Sequence, residues 1–140
     1  MSDWYVEQVF AARTWKLRKE IFSPEGSLAD VMLEDDFNAS HFAAYHKDEV
    51  VGVLTLTRRD DEYTVHFFAV RPIFRRQGVG YALVRYAQQF VRTLQGNRIL
   101  VRSDDEHSRF WMNIGFRPLA KEENGRTLFS CSLEGDIVSQ

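Results

Sequence analysis

Residues 66–94 read HFFAVRPIFRRQGVGYALVRYAQQFVRTL, which is a short apolar strand, a basic loop with two glycines, and a helix. This succession constrains the chain more than any other stretch. Pro72 lacks an N–H and fixes φ, so the strand has to end near Val70. Gly78 and Gly80 lack Cβ, so the loop backbone is free to take positive φ and turn its N–H donors toward a bound group. Val79, Leu83, Tyr86/Ala87, Phe90 and Leu94 recur at helical spacing as one apolar stripe. They place the loop on the N-terminus of a core-packed helix. Unpaired N–H groups and the positive end of the helix dipole favour a phosphate there.

Charge agrees. Residues 71–102 contain seven Arg and no Asp, Glu or Lys, although the chain as a whole carries 18 basic and 20 acidic residues. Arg85 and Arg92 read as a solvated helix face. Arg75 and Arg76, beside the glycines, are the candidate ligands, because a planar guanidinium matches phosphate oxygens two at a time. A P-loop is excluded because Gly80 is followed by Tyr81 and Ala82, which leaves no Lys and no hydroxyl for magnesium. A dinucleotide fingerprint fails as well, since Gly78 comes too late after Val70 and Leu83 occupies the place of the third glycine.

At 140 residues the chain reads as a single domain over residues 1–140, large enough to bury about 68–70% of its unfolded surface. Its one cysteine, Cys131, reads as core and excludes an internal disulfide or a cysteine-rich zinc site. The N-terminus has no basic, long apolar leader and no apolar run approaches ~18 residues, so the expectation is cytoplasmic, with no membrane partner. A net charge of −2 and a pI near 6.1 argue against a dedicated nucleic-acid binder.

In order, residues 4–10 suggest a strand and residues 10–22 a helix whose apolar face holds Phe10, Thr14, Leu17 and Ile21, with Ala11, Trp15 and Phe22 beside them. Ser23, Pro24 and Gly26 end that helix, and residues 27–33 suggest a further short turn. Glu34, Asp35 and Asp36 read as a solvated acidic loop or as the rim of a site that receives a cation. Strands at 41–45, 50–57 and 63–70 form a meander, and 98–102 returns parallel after the long helix. Residues 107–114 read as a short helix stopped by Gly115, and Asn124-Gly125 joins a last hairpin of 116–120 and 126–133. Residues 135–140 are expected to fray. Asp104, Asp105, Glu106 and His107 read as a helix cap and first turn, so no metal is expected.

Arg75-Arg76-Gln77-Gly78-Val79-Gly80 resembles the Gln/Arg-x-x-Gly-x-Gly/Ala signature of the GNAT superfamily of N-acetyltransferases. Three further places agree. Leu17-Arg18-Lys19-Glu20-Ile21-Phe22 resembles the Arg-x-x-Val-Phe helix end of a subgroup of small bacterial members. Glu34-Asp35-Asp36 followed by His41-Phe42-Ala43-Ala44-Tyr45 resembles that subgroup's acidic loop and His-started strand. Phe110-Trp111-Met112-Asn113-Ile114-Gly115-Phe116 is similar to the family's Phe-Tyr-x-x-x-Gly-Phe.

The resemblance implies an α+β fold with a mixed, mostly antiparallel twisted sheet of about seven strands and one parallel crossover. It implies acetyl-CoA or coenzyme A bound by Phe68, Ala69, Val70, Arg75, Arg76, Gln77, Gly78, Val79, Gly80 and Tyr81. Pantetheine would pair with the strand at 68–70 where it splays from 98–102, and an N–H near Val70 would polarise the thioester carbonyl.

Such a transferase needs the acceptor amine neutral, and His66 is the candidate general base, since an ordinary imidazole titrates near ~6.5. Strand alternation puts His66 on one face with Phe68 and Val70. The alternative for His66 is a half-exposed strand residue with a hydrogen-bonded ring. Trp111 occupies the position of the usual Tyr acid, and indole has no proton to give a thiolate. Asp104 and His107 stand at positions that are often Asn and Ala in the family. The expected partner is a small-molecule amine acceptor, with the protein a monomer or homodimer. A non-catalytic acyl-CoA sensor and a polyanion binder using the arginine strip remain the alternative functions.

Overall fold

The computed structural model describes residues 3–133, so the expected fraying of 135–140 lies outside the described residues. The strands are β1 (Trp4–Val9), β2 (Ser40–His46), β3 (Glu49–Arg59), β4 (Glu62–Val70), β5 (Arg98–Ser103), β6 (Arg117–Lys121) and β7 (Thr127–Ser132). The helices are α1 (Ala12–Phe22), α2 (Val79–Thr93) and α3 (Ser108–Asn113), with 3-10 turns at Leu28–Val31, Pro72–Phe74 and Asp105–His107. Seven strands make one sheet in the order β1-β2-β3-β4-β5-β7-β6. β4 and β5 are parallel, with Glu62 opposite Arg98, Tyr63 opposite Ile99 and Thr64 opposite Leu100, and β4 continues beyond these pairs to Val70. This is the mixed α/β sheet the sequence implied. Among the described residues no helix is long and apolar enough to cross a membrane.

By Cα proximity the chain falls into two compact units, one running through Thr57 and from His66 to Ala87, the other holding Arg58–Val65 and the chain from Gln88 onward. In the first unit, Leu17, Val53 and Ala69 form an apolar cluster with Ile21 and Val50 against it. Gly52 sits beside Val53 and faces the other way. A Cβ built there would lie 2.9 Å from Leu83, 3.0 Å from Val79 and 3.4 Å from the Ala69 carbonyl. The first turns of α2 therefore rest directly on bare backbone.

In the second unit Ile99, Val101, Phe116 and Phe129 are buried. The last hairpin turns where expected, with Gly125 at φ +84° and the Arg126 N–H donating to Asn124 Oδ1 at 3.0 Å.

Two amphipathic expectations shift. On α2 the buried side is Val79, Leu83, Val84, Ala87, Gln88 and Val91, while Tyr86 and Leu94 are exposed. The buried arc is centred on Leu83, Ala87 and Val91, which leaves Tyr86 at its edge, and Leu94 lies past the helix end at Thr93. On α1 Thr14 and Leu17 are buried as expected and Arg18 is fully buried, while Phe10, expected on this helix, precedes it and is 88% exposed.

Candidate active site

The loop after β4 is a 3-10 turn followed by left-handed residues. Phe74 N–H donates to the Arg71 carbonyl at 2.8 Å and Arg75 N–H to the Pro72 carbonyl at 3.2 Å. Arg76 then takes φ +63° and Gly78 φ +90°. Alternating signs of φ turn successive N–H groups to the same side. A Cβ on Gly78 would meet only the Trp4 ring at 3.8 Å, so φ and not space demands glycine there. Gly80 differs from the expectation: it lies inside α2 and is not at positive φ. The first turn of the helix claims its backbone, since the Ala82 N–H already bonds the Gly78 carbonyl at 3.0 Å. The N–H groups of Val79, Gly80 and Tyr81 precede that bond and point out of the helix end.

The loop's side chains are exposed and braced locally. Arg75 Nε donates to the Val70 carbonyl at 2.8 Å, and Gln77 Nε2 donates to the Ile73 carbonyl at 3.0 Å. Tyr81 is exposed on α2, with the Arg85 guanidinium 5.9 Å from its ring centroid.

His66 and its neighbours depart from simple alternation. On β3, Val53 joins Leu17 of α1, Thr55 accepts from Arg18 of α1, and Thr57 Oγ1 lies 2.9 Å from His66 Nε2. On β4, Ala69 also joins Leu17 and Val53, and the Phe67 ring lies beneath the Arg18 guanidinium, 4.6 Å away. His66, Phe67 and Ala69 therefore share the face that α1 covers. Phe67 at φ +49° breaks the period-2 pattern, so His66 is not on one face with Phe68 and Val70. A bulky aromatic at positive φ is a genuine outlier that its surroundings must hold in place. The Arg18 guanidinium packs on one side of this ring, and Phe22 meets it edge-on at 5.3 Å.

Arg18 itself anchors a buried network that joins two of the short motifs. Its Nη1 donates to the Val31 carbonyl and to Asp36 Oδ2, each at 2.9 Å. Its Nη2 donates to Asp36 Oδ1 at 3.1 Å and to Thr55 Oγ1 at 2.7 Å. Asp36 also accepts from Trp15 Nε1 and from the Leu33 N–H, both at 3.0 Å. The acidic loop does receive a cation, and the cation is the chain's own arginine.

Burial pushes the Asp36 carboxyl up, but the hydrogen bonds from Arg18, Leu33 and Trp15 together with the Arg18 charge leave it below its ordinary 3.8. Burial holds His41 below its ordinary 6.5, with the Arg18 charge adding to the shift. Its Nε2 faces the Asp36 carbonyl at 2.8 Å and must donate, so Nδ1 accepts from the Thr55 hydroxyl at 2.8 Å. Sequence reasoning missed Arg18, Gly52 and Phe67. The motif match at 17–22 was the available signal for Arg18, and nothing in the sequence marks Phe67.

Trp111 is buried in the second unit, with Phe116 at 5.1 Å and Phe110 at 5.0 Å, both edge-on. Asp104 precedes the 3-10 turn Asp105–His107 but makes no side-chain cap bond. It engages Arg126 instead, at 3.6 Å. Asp104, Glu106 and His107 offer ligand atoms within 4.8 Å of one another, all on exposed side chains. The arginine strip is partly neutralised: Arg71 pairs with Glu20 and Glu49, Arg98 with Glu62, and Arg102 with Glu122.

The family model for the acetyltransferase (GNAT) family matches residues 4–116. The chain belongs to that family. Its fold is similar to a putative N-acetyltransferase from Lactobacillus plantarum, with TM-score 0.80, 20% identity, and 93% of this chain and 98% of that one covered. It is also similar to Escherichia coli ElaA, with TM-score 0.78, 15% identity, and coverage of 91% and 99%. A third relative in fold is the PaiA N-acetyltransferase of Thermoplasma acidophilum in complex with coenzyme A, with TM-score 0.74, 10% identity, and coverage of 95% and 100%. A comparison with curated proteins returns no match.

The family's acyl donor is acetyl-CoA, which is the cofactor of this GNAT chain. The residues present fit such a group: an open loop with left-handed Arg76 and Gly78, two exposed arginines, and a helix end whose first N–H groups precede the helical ladder.

Proposed function

We propose that this GNAT protein transfers the acyl group of acetyl-CoA to the primary amine of a small molecule or amino acid. In this reading it is a cytoplasmic, single-domain enzyme, a monomer or homodimer, with no nucleic-acid or membrane partner. One observation carries the reading: the left-handed residues Arg76 and Gly78 lead into the first turn of α2, which Gly52 lets rest on β3. Arg75, Arg76, Gln77 and Gly78 with the N–H groups of Val79, Gly80 and Tyr81 would hold the phosphates, and the strand at Phe68, Ala69 and Val70 the pantetheine arm. When bound, the thioester supplies an acyl carbon with a thiol leaving group. His66, half-buried and bonded through Nε2 to Thr57, would accept the proton that the attacking amine has to lose.

The buried indole of Trp111 favours a second reading, an acyl-CoA binder without catalysis, because the usual phenol is missing. Its absence is survivable in an enzyme: thiols titrate near ~8.5, so releasing thiolate at neutral pH is uphill by only about 2 kcal/mol. Two measurements test these readings. Acetyl-CoA should raise the melting temperature, since it binds the folded state alone. Free thiol should appear across an amine panel. A melting shift without thiol supports the binder, and no shift at millimolar acetyl-CoA overturns both.

A further inference from the structure

The surface beside His66 describes the acceptor. Phe22, the last residue of α1, keeps 48% of its area exposed although its ring is fixed edge-on to Phe67, at 71° and 5.3 Å. Phe67 follows His66 in the chain and shares its face, and its ring lies 4.6 Å from the Arg18 guanidinium and edge-on to Phe22. Two aromatic rings in mutual contact, one of them half open, thus lie on the face that carries the candidate base.

The charge beneath them is balanced. Arg18 is fully buried and bonded to both oxygens of Asp36, so it offers the surface neither a free cation nor a free anion. The nearest carboxylate on α1, Glu20, is held by Arg71 at 3.2 Å, and Glu49 of β3 lies 3.7 Å from the same guanidinium. A polycation therefore finds little to bind on this part of α1 and β3. An apolar body finds a preformed wall.

We propose that Phe22 and Phe67 bind the acceptor, and that the acceptor is a small primary amine carried on an aromatic body. This rests on the acyltransferase reading and names its substrate class. The chemistry suits the reaction. In the transfer, the nitrogen–carbon bond forms as the carbon–sulfur bond breaks, the amine's proton passes to His66, and the leaving sulfur takes up a proton from solvent or from His66. Flat rings contribute binding at low cost in side-chain entropy, because Phe has only two χ angles to fix.

The test compares 2-phenylethylamine, butylamine and spermidine in two assays on the full chain: calorimetric binding in the presence of coenzyme A, and thiol release from acetyl-CoA. Expected is at least about ten-fold tighter binding of 2-phenylethylamine than of the other two, in line with an aromatic contact of this size. Phe22→Ala should lose about ten-fold for 2-phenylethylamine alone, while the melting shift with acetyl-CoA stays as in the parent. Phe22→Leu should retain an intermediate affinity. Equal binding of butylamine, preference for spermidine, or an inert Phe22→Ala overturns the proposal. Thiol release with spermidine alone leaves the transferase reading standing and removes the aromatic surface. Tight binding of 2-phenylethylamine that Phe22→Ala weakens, with no thiol from any amine, keeps the surface and removes the transferase reading.

Discussion

Replacing Arg18 by Met tests whether the buried network holds the acceptor side of the fold together. Met fills much of the arginine stem but ends the four bonds that Arg18 donates to Val31, Asp36 and Thr55. Asp36 keeps Trp15 and the Leu33 N–H, both on Oδ2, so Oδ1 loses its arginine donor in a buried place. Removing one member of a buried ion pair costs about 3–5 kcal/mol, mostly as the penalty of the charge left behind. Against a whole stability of about 5–15 kcal/mol that is a large share.

At this chain length the loss corresponds to roughly 10–20 °C in Tm. Urea unfolding followed by tryptophan fluorescence reads it as a fall in midpoint at constant m. The double variant Arg18→Met with Asp36→Asn should recover part of the loss, giving a coupling of at least about 2 kcal/mol in the cycle. A cost below about 1 kcal/mol, the range of exposed pairs, or additive single effects would refute the network as described.

Four further outcomes are expected. Asp36 and His41 both titrate below their unfolded values, so the unfolded chain binds more protons and stability rises with pH. The His41 contribution is complete above 6.5 and is lost as pH falls through its depressed value. That of Asp36 is complete above 3.8 and is lost further down. Urea midpoints should therefore fall between pH 7.5 and 5, and His41→Gln should flatten that fall. Gly52→Val drives methyls into Leu83, Val79 and the Ala69 carbonyl, so it should cost about 1–3 kcal/mol and weaken the acetyl-CoA melting shift. Gly78→Val should abolish that shift while leaving most of the fold, because the loop is exposed and only φ is violated; unchanged affinity would mean the loop has another role. Trp111→Tyr should raise thiol release by up to about 10²-fold where thiolate departure limits the rate, and His66→Ala should lower it and remove a limb of the pH–rate profile.

The order of strands and helices was legible because local chemistry decides it: Pro72 ends β4, Gly115 ends α3, and Asn124-Gly125 turns the last hairpin. The candidate cofactor loop was legible for the same reason, since its glycines, arginines and helix start are neighbours in the chain. Its backbone was only half right. Gly78 takes the left-handed conformation together with Arg76, whereas Gly80 is absorbed into the helix.

Tertiary structure alone decided the other side of the candidate site. Arg18 looks like a solvated helix residue until Val31, Asp36, His41 and Thr55, distant in sequence, close around it. Phe67 looks like one alternating strand residue among others, and only the folded chain shows its backbone at positive φ with the Phe22 ring and the Arg18 guanidinium packed on it. Alternation and helical period follow from the geometry of one element. Which buried charge finds a partner, and which strand residue is forced out of register, depend on side chains brought together from several elements, and a single sequence does not encode that proximity locally.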